Sequence, residues 1–319
     1  MQPFPAADSA TDASWAAMQL GGGVLPVAGH GPDTWLFKDL PAHIYHADRQ
    51  ALSCSLMKPL LVSPAHFQVA LTAVARSSPA KTFGSMLHLL LLQPQLAGQE
   101  LAVFPGVAEP RSGQLAQFIA DHPDKLVTDE PTFARARRLV QKTADTLYRG
   151  RPLARFIEES MTEATVYFIE PVTGLRMRVR LDAYHPDISF DLKSTRHPSA
   201  RAFTRDAVDY DYDLQAYMYS LGRCLFEGSA TAKPFVFIAA ESEAPHSVST
   251  LSAGSAFMES GEQKFQACVS TFKACTATNF WPDLSCDGEI VLEPWQQFSL
   301  RNSWQAAMAS TDSKRTGNP

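Results

Sequence analysis

The chain has 319 residues, 45% hydrophobic and 19% charged, enough for a substantial core in one large domain or two small ones. Its net charge of −5 excludes a generic polyanion binder, and no apolar run approaches the ~20 residues that a membrane helix needs. No basic stretch leads into an apolar core at the N-terminus, so a cytoplasmic protein with no membrane association is expected.

Five cysteines (Cys54, Cys224, Cys268, Cys275 and Cys286) without a CxxC pair fit a reducing compartment. Their downstream gaps are wider than iron–sulfur frames use, so free and mostly buried thiols are expected. Residues 1–45 mix Ala, Gly, Pro and Asp without steady periodicity and read as a flexible arm. From Leu52 order begins. Ser53 or Ser55 can cap a short helix through Leu61, and Ser63-Pro64 restarts another. Phe83 to Gln93 is a strongly apolar helix stopped by Pro94, and Thr132 to Tyr148 is a second helix with Phe133, Ala136, Leu139, Val140 and Leu147 inward.

The pattern then changes to strands at about 162–170, 175–184 and 188–194. Helices follow at Ser199–Thr204 and Asp209–Leu225. Phe235–Ala240 is an apolar strand with His246–Leu251 as its antiparallel neighbour, and Ala253–Ala274 is a long helix. A short strand is expected at Ile290–Leu292 and a mobile tail over 301–319. No internal repeat or clear linker divides the chain, so residues 46–300 read as one α/β domain with a helical N-terminal part.

The stretch from Arg176 to Lys193, RMRVRLDAYHPDISFDLK, carries the chemistry. Side chains alternate across a strand, so Asp191 and Lys193 share one face while Leu192 enters a core. By the same rule Asp182 shares a face with Arg176, Arg178 and Arg180, opposite Met177, Val179 and Leu181. A hairpin would then gather two carboxylates and an ammonium on a single surface, the equipment for holding a divalent metal beside a phosphodiester. Taken alone, D-x8-D-x-K is a weak pattern better explained by a solvated hairpin. Residues 176–205 hold seven Arg or Lys against three Asp, a local basic excess that suits a phosphate-bearing substrate.

Several stretches in this order resemble the RecE-type (exodeoxyribonuclease VIII-like) exonucleases of phages and prophages, a branch of the PD-(D/E)XK nuclease superfamily. Leu52 to Phe67 resembles that group's opening motif, Phe83-Gly-Ser-Met-Leu-His88 its G-x-x-x-H helix, and Asp191-Leu-Lys-Ser-Thr195 its D-x-K-[ST]-T strand. Gln215 and Tyr219 match the following Q-x-x-x-Y helix. The resemblance implies a PD-(D/E)XK core, a central mixed sheet flanked by helices. It implies Mg2+ as cofactor, with Mn2+ substituting, held by His88, Asp182, Asp191 and the main-chain carbonyl of Leu192. A lone histidine on an apolar helix is ordinarily a core residue, and the resemblance is what makes His88 a ligand.

Lys193 would orient or deprotonate the attacking water. Glu163, where related nucleases carry a glutamate, is either catalytic or a surface residue or Arg partner. Gln215 and Tyr219, an i, i+4 pair, would clamp the DNA strand near the scissile phosphate or simply pack the helix. Ser194 and Thr195 belong to the motif that meets DNA, and Arg178 and Arg180 either hold neighbouring phosphates or pair with the helix acids. The implied activity is 5′ to 3′ digestion of double-stranded DNA ends to mononucleotides, leaving 3′ strands for a single-strand annealing protein. The implied assembly is a homo-oligomeric ring, tetramer or trimer. The alternatives are an endonuclease or flap nuclease on the same core, and a non-catalytic DNA-binding or scaffold protein.

Overall fold

The computed structural model describes residues 26–31, 33–73, 78–109, 113–285 and 289. The chain divides into Met1–Asp283 and Leu284–Pro319, and the first unit carries the fold described below. The strand expected at 290–292 and the tail at 301–319 lie outside the described residues.

The strands among these residues are β1 (Val27–Ala28), β2 (Thr34–Phe37), the small ribbons β3 (Leu101–Phe104) with β4 (Leu126–Asp129) and β5 (Leu147–Tyr148) with β6 (Arg151–Pro152), then β7 (Met161–Ile169), β8 (Arg176–His185), β9 (Ile188–Thr195), β10 (Phe235–Glu241) and β11 (Val248–Ser252). Seven of them form one sheet in the order β1-β2-β7-β8-β9-β10-β11. Only β9 and β10 run parallel, so the sheet is mixed. The crossover between them contains the helices Ala200–Asp209 and Tyr212–Glu227, as a parallel connection requires. This is the α/β architecture expected from the sequence. Among the described residues, no helix is long and apolar enough to cross a membrane.

Helix starts follow their caps. Ser53, Ser63, Ser78 and Asp129 each accept a backbone N–H from the first turn of their helix, and a proline opens the helices beginning at Pro64 and Pro79. The Ser78 cap moves the start of the apolar helix back to Pro79, so it spans Pro79–Leu92. The helix predicted to reach Tyr148 ends at Asp145, and Leu147–Tyr148 forms β5 instead.

The expectation of an arm through residue 45 is corrected. β2 pairs antiparallel with β7, and Phe37 and Leu36 are buried in it. The polar and glycine-rich flanks hid a four-residue apolar run, Thr34–Phe37, too short to show periodicity. The described cysteines are free, with Cys54, Cys268 and Cys275 buried.

Two cores sandwich the sheet. Phe190, Leu192, Val236 and Ile238 pack with Met86, Leu89 and Leu139, under the helices Pro79–Leu92 and Glu130–Asp145. Val166, Phe168, Met177, Val179 and Leu181 pack with Leu214, Met218, Phe265 and Phe272, under Tyr212–Glu227 and Ser255–Thr278. Two glycines set the helix distances. A Cβ on Gly84 would stand 3.2 Å from Ser194 Oγ, and one on Gly222 would stand 2.8 Å from the Phe168 ring.

One buried arginine fixes the β8–β9 turn. Arg223, 2% exposed, donates from Nη1 to the Ile188 carbonyl at 2.9 Å and from Nη2 to the His185 carbonyl at 2.7 Å and the Pro186 carbonyl at 3.0 Å. Its Nε pairs with Glu227 at 2.8 Å. Only a planar guanidinium fork fits this set. Arg223→Met is expected to destabilise the protein by about 3–5 kcal/mol in urea unfolding, and Arg223→Lys should recover little of it. A loss under about 1 kcal/mol would contradict this role.

Candidate active site

After leaving their turn, β8 and β9 pair at His185–Ile188, Tyr184–Ser189 and Ala183–Phe190, and the ladder stops there. The next residues along each strand are Asp182 and Asp191. Alternation on β8 breaks at the same point, since Leu181 and Ala183, two residues apart, enter opposite cores. Across from Asp182 on β7 stands Glu163, with φ at 50°, in the left-handed region that non-glycine residues seldom adopt. Its neighbours Thr162 and Ala164 keep register with Ala183 and Leu181.

Side chains occupy the opening. The Leu192 N–H donates to Asp182 Oδ2 at 2.7 Å, and the Leu192 carbonyl lies 2.9 Å from His88 Nε2. A carbonyl only accepts, so Nε2 carries the hydrogen. Nδ1 of the same ring then faces Glu163 Oε1 and Asp182 Oδ2, each at 3.6 Å. One ligand atom from each of His88, Glu163 and Asp182 lies within 4.8 Å of the others. An imidazole that donates one N–H to a backbone carbonyl and turns its other nitrogen to carboxylates is arranged as metal-binding histidines are.

Burial alone would lower the pKa of His88, but Asp182 and Glu163 outweigh it and raise it to about 9. Burial, with the charges of Asp191 and Glu163, raises Asp182 to about 7 against the pull of His88. Both directions say that this point favours a positive charge, which a proton on His88 or a divalent cation can provide. Two carboxylates suit a hard cation, the imidazole nitrogen is a tolerated addition, and the second lone pair of the Leu192 carbonyl remains available. These residues fit a divalent metal.

Asp191 stands beside this group and not within it. It is 1% exposed, accepts from Gln215 Nε2 at 2.6 Å, and its other oxygen pairs with Lys193. The hairpin brings Asp182, Asp191 and Lys193 close enough for their charges to act on one another, as expected, but divides them between two groups. Asp182 turns to His88 and Glu163, because the break in alternation releases it from the face that strand geometry assigns. Burial opposes the charge on Lys193, yet Asp191 and Asp182 raise its pKa, so it stays an ammonium. Its Nζ lies 4.9 Å from the centre of the Tyr212 ring.

Gln215 is committed to Asp191, which makes it the residue that orients that acid. Tyr219 packs its ring 6.3 Å from that of Phe235, and burial holds its phenol well above the usual range. Ser194 and Thr195 line a cleft of about 600 Å3 with Arg135, Arg196 and His197.

Of the two readings of Arg178 and Arg180, the structure favours pairing with acids, though with Asp48 and Glu163 and not with the helix acids. Arg178, 2% exposed, donates to the Ala51 carbonyl at 2.6 Å and lies 3.5 Å from Asp48 Oδ2. Arg180 donates to the Leu40 carbonyl at 2.7 Å and to Thr165 Oγ1 at 3.0 Å, and its Nε lies 4.0 Å from Glu163. Both guanidiniums face the Tyr45 ring of the N-terminal segment. Leu40 and Tyr45 lie in the stretch expected to be an arm, and Asp48 and Ala51 follow just after it. Glu163 as a member of the metal group was also missed, since its position depends on a backbone conformation that carries no sequence signal.

The profile of the PDDEXK-like domain of unknown function (DUF3799) matches residues 53–292, well over half of the chain. The chain belongs to this family. No curated protein sequence matches it. Among solved structures, it is similar to a protein of Eubacterium rectale assigned provisionally as an exonuclease. That match has a TM-score of 0.54 and 14% identity, and it covers 80% of this chain and 96% of the other. At that identity the likeness shows the fold alone, and the PDDEXK-like assignment comes from the family model. A second structure, of the protein SSO0001, aligns at a TM-score of 0.34 and 11% identity over 70% of this chain and 80% of the other, too low to bear on the fold.

The raised values of His88 and Asp182 set a pH dependence. For both groups, stability present at low pH is lost as pH rises through the folded values, about 7 for Asp182 and about 9 for His88. In EDTA the melting temperature should therefore fall across that window, and a divalent cation should raise it most at the alkaline end, where no proton competes. Asp182→Asn should flatten both effects, and an unchanged profile in that variant would contradict the assignment.

Proposed function

We propose that this protein is a Mg2+-dependent exonuclease of double-stranded DNA, with Mn2+ able to substitute. The observation that carries the reading is the opening between β8 and β9, where His88, Glu163 and Asp182 converge within 4.8 Å while Asp191 and Lys193 stand on the adjoining strand. Membership of a PDDEXK-like family supports it.

His88, Glu163, Asp182 and the Leu192 carbonyl would hold the cation. When bound, it supplies Lewis-acid polarisation of the phosphate and offsets charge on the leaving 3′ oxygen. Lys193, kept as an ammonium by Asp191, orients the attacking water and stabilises the negative charge that builds on the phosphoryl oxygens. Its raised pKa favours that role over taking the proton. Gln215 keeps Asp191 turned toward Lys193, and Ser194 and Thr195 offer hydroxyls to the strand along the adjacent cleft.

The finer features rest on the resemblance to RecE-type exonucleases. Digestion runs 5′ to 3′ from an end and releases mononucleotides, leaving a 3′ strand for a single-strand annealing protein in phage-type recombination. A tetrameric or trimeric ring of subunits encloses the duplex.

Linear duplex DNA should be degraded with Mg2+ and spared with EDTA, and covalently closed circles should stay intact. Asp191→Ala is expected to abolish nucleotide release, and Lys193→Ala to lower turnover by about 100-fold or more while sparing metal binding measured by calorimetry. His88→Ala should weaken metal affinity. Undiminished digestion by Asp191→Ala would overturn the site, and cleavage of closed circles would favour an endonuclease.

A further inference from the structure

Lys58 lies in the opening motif, on the 3-10 turn Lys58–Leu61 that follows the helix Cys54–Met57. Nothing in the metal group or its support uses it. Its Nζ donates to the Tyr210 carbonyl at 2.5 Å and lies 5.2 Å from the centre of the Tyr212 ring. Lys193 Nζ lies 4.9 Å from the centre of that same ring. Two ammonium groups thus share one half-buried aromatic side chain.

Their charges are balanced differently. Lys193 is paired with Asp191, whereas Lys58 forms no ion pair among the described residues. Like charges gathered at one place repel, and an aromatic face offsets only part of that. An anion held between them would offset that repulsion. Tyr210 and Tyr212 also line the cleft of about 600 Å3 that runs past Ser194 and Thr195 at the end of β9. A nucleic-acid strand carries a phosphate at every nucleotide, so a strand with one phosphate at Lys193 brings another along its path.

We propose that Lys58, held in place by the Tyr210 carbonyl and the Tyr212 ring, binds the backbone phosphate next to the one that is cut. Lys193 and Lys58 would then read two successive phosphates of one strand, with the Tyr212 ring setting their separation. The assignment rests on the nuclease reading of the site and deepens it, giving Lys58 a part in strand placement and none in the chemical step.

Fluorescence anisotropy with a short fluorescein-labelled duplex in EDTA tests this without turnover. Lys58→Met should bind about tenfold more weakly than wild type, and its plot of log affinity against log salt should be shallower by about 1. Lys58→Arg should return affinity to within about twofold. Lys58→Gln keeps a polar donor for the Tyr210 carbonyl, so a loss shared by the Met and Gln variants is a loss of charge and not of folding. Wild-type affinity and slope in both variants would overturn the proposal, as would a wild-type protein that binds no DNA. Lys58-dependent binding by a wild type that leaves DNA uncut with Mg2+ would sink the nuclease reading alone.

Discussion

The site depends on the way Leu192 is satisfied. In an unbroken antiparallel ladder its N–H and carbonyl would pair with the backbone of β8. Here the ladder ends at Ala183 and Phe190, and the Asp182 carboxylate and the His88 imidazole take the two groups instead. A buried backbone group left unpaired costs about 1–3 kcal/mol, so the two side chains are part of what makes the strand separation tenable. The same bonds aim them: Asp182 is drawn toward β9, and His88 is turned so that its free nitrogen meets two acids. Structure and chemistry rest on the same two hydrogen bonds.

The surrounding fold keeps that opening at a fixed width. Arg223 grips the closed end of the hairpin through three backbone carbonyls. The same helix carries Gln215, which holds Asp191, so one rigid element spans from the turn to the second acid. Gly84 lets the Pro79–Leu92 helix approach β9 at Ser194, which brings His88 within reach of Leu192. On the far side, Arg180 lies between Glu163 and the Tyr45 ring. The helix Ala42–Ala47 therefore braces Arg180, and through it Glu163, by the Tyr45 ring.

Much of this was legible in the residues. The strands β7 to β11 follow from alternation and turn chemistry, and the two cores fall on the faces that alternation assigns to Met177, Val179, Phe190 and Leu192. His88, Asp182, Asp191 and Lys193 follow from motif order, and Gly84 from its place one turn before His88. What escaped has identifiable causes. The left-handed conformation of Glu163 and the flip of facing at Asp182 are set by tertiary packing, which a strict period of two cannot express. The residues alone leave Arg178 and Arg180 open between phosphates and acids because their partners Leu40 and Tyr45 lie in a segment too short and mixed to announce itself as structured, and Ala51 lies just beyond it. Lys58 and Tyr212 meet only in the folded chain.

A PDDEXK-like family, a mixed sheet opened beside two aspartates, and an imidazole aimed at carboxylates converge on a candidate cation-binding site beside the cleft lined by Ser194, Thr195 and Tyr212. Crystals soaked in Mn2+ and measured at the manganese absorption edge test this most directly. The account predicts an anomalous peak bounded by His88 Nδ1, Glu163 and Asp182, with metal–oxygen distances of roughly 2.0–2.3 Å. A site that stays empty at saturating Mn2+, or a peak on other residues, would contradict it.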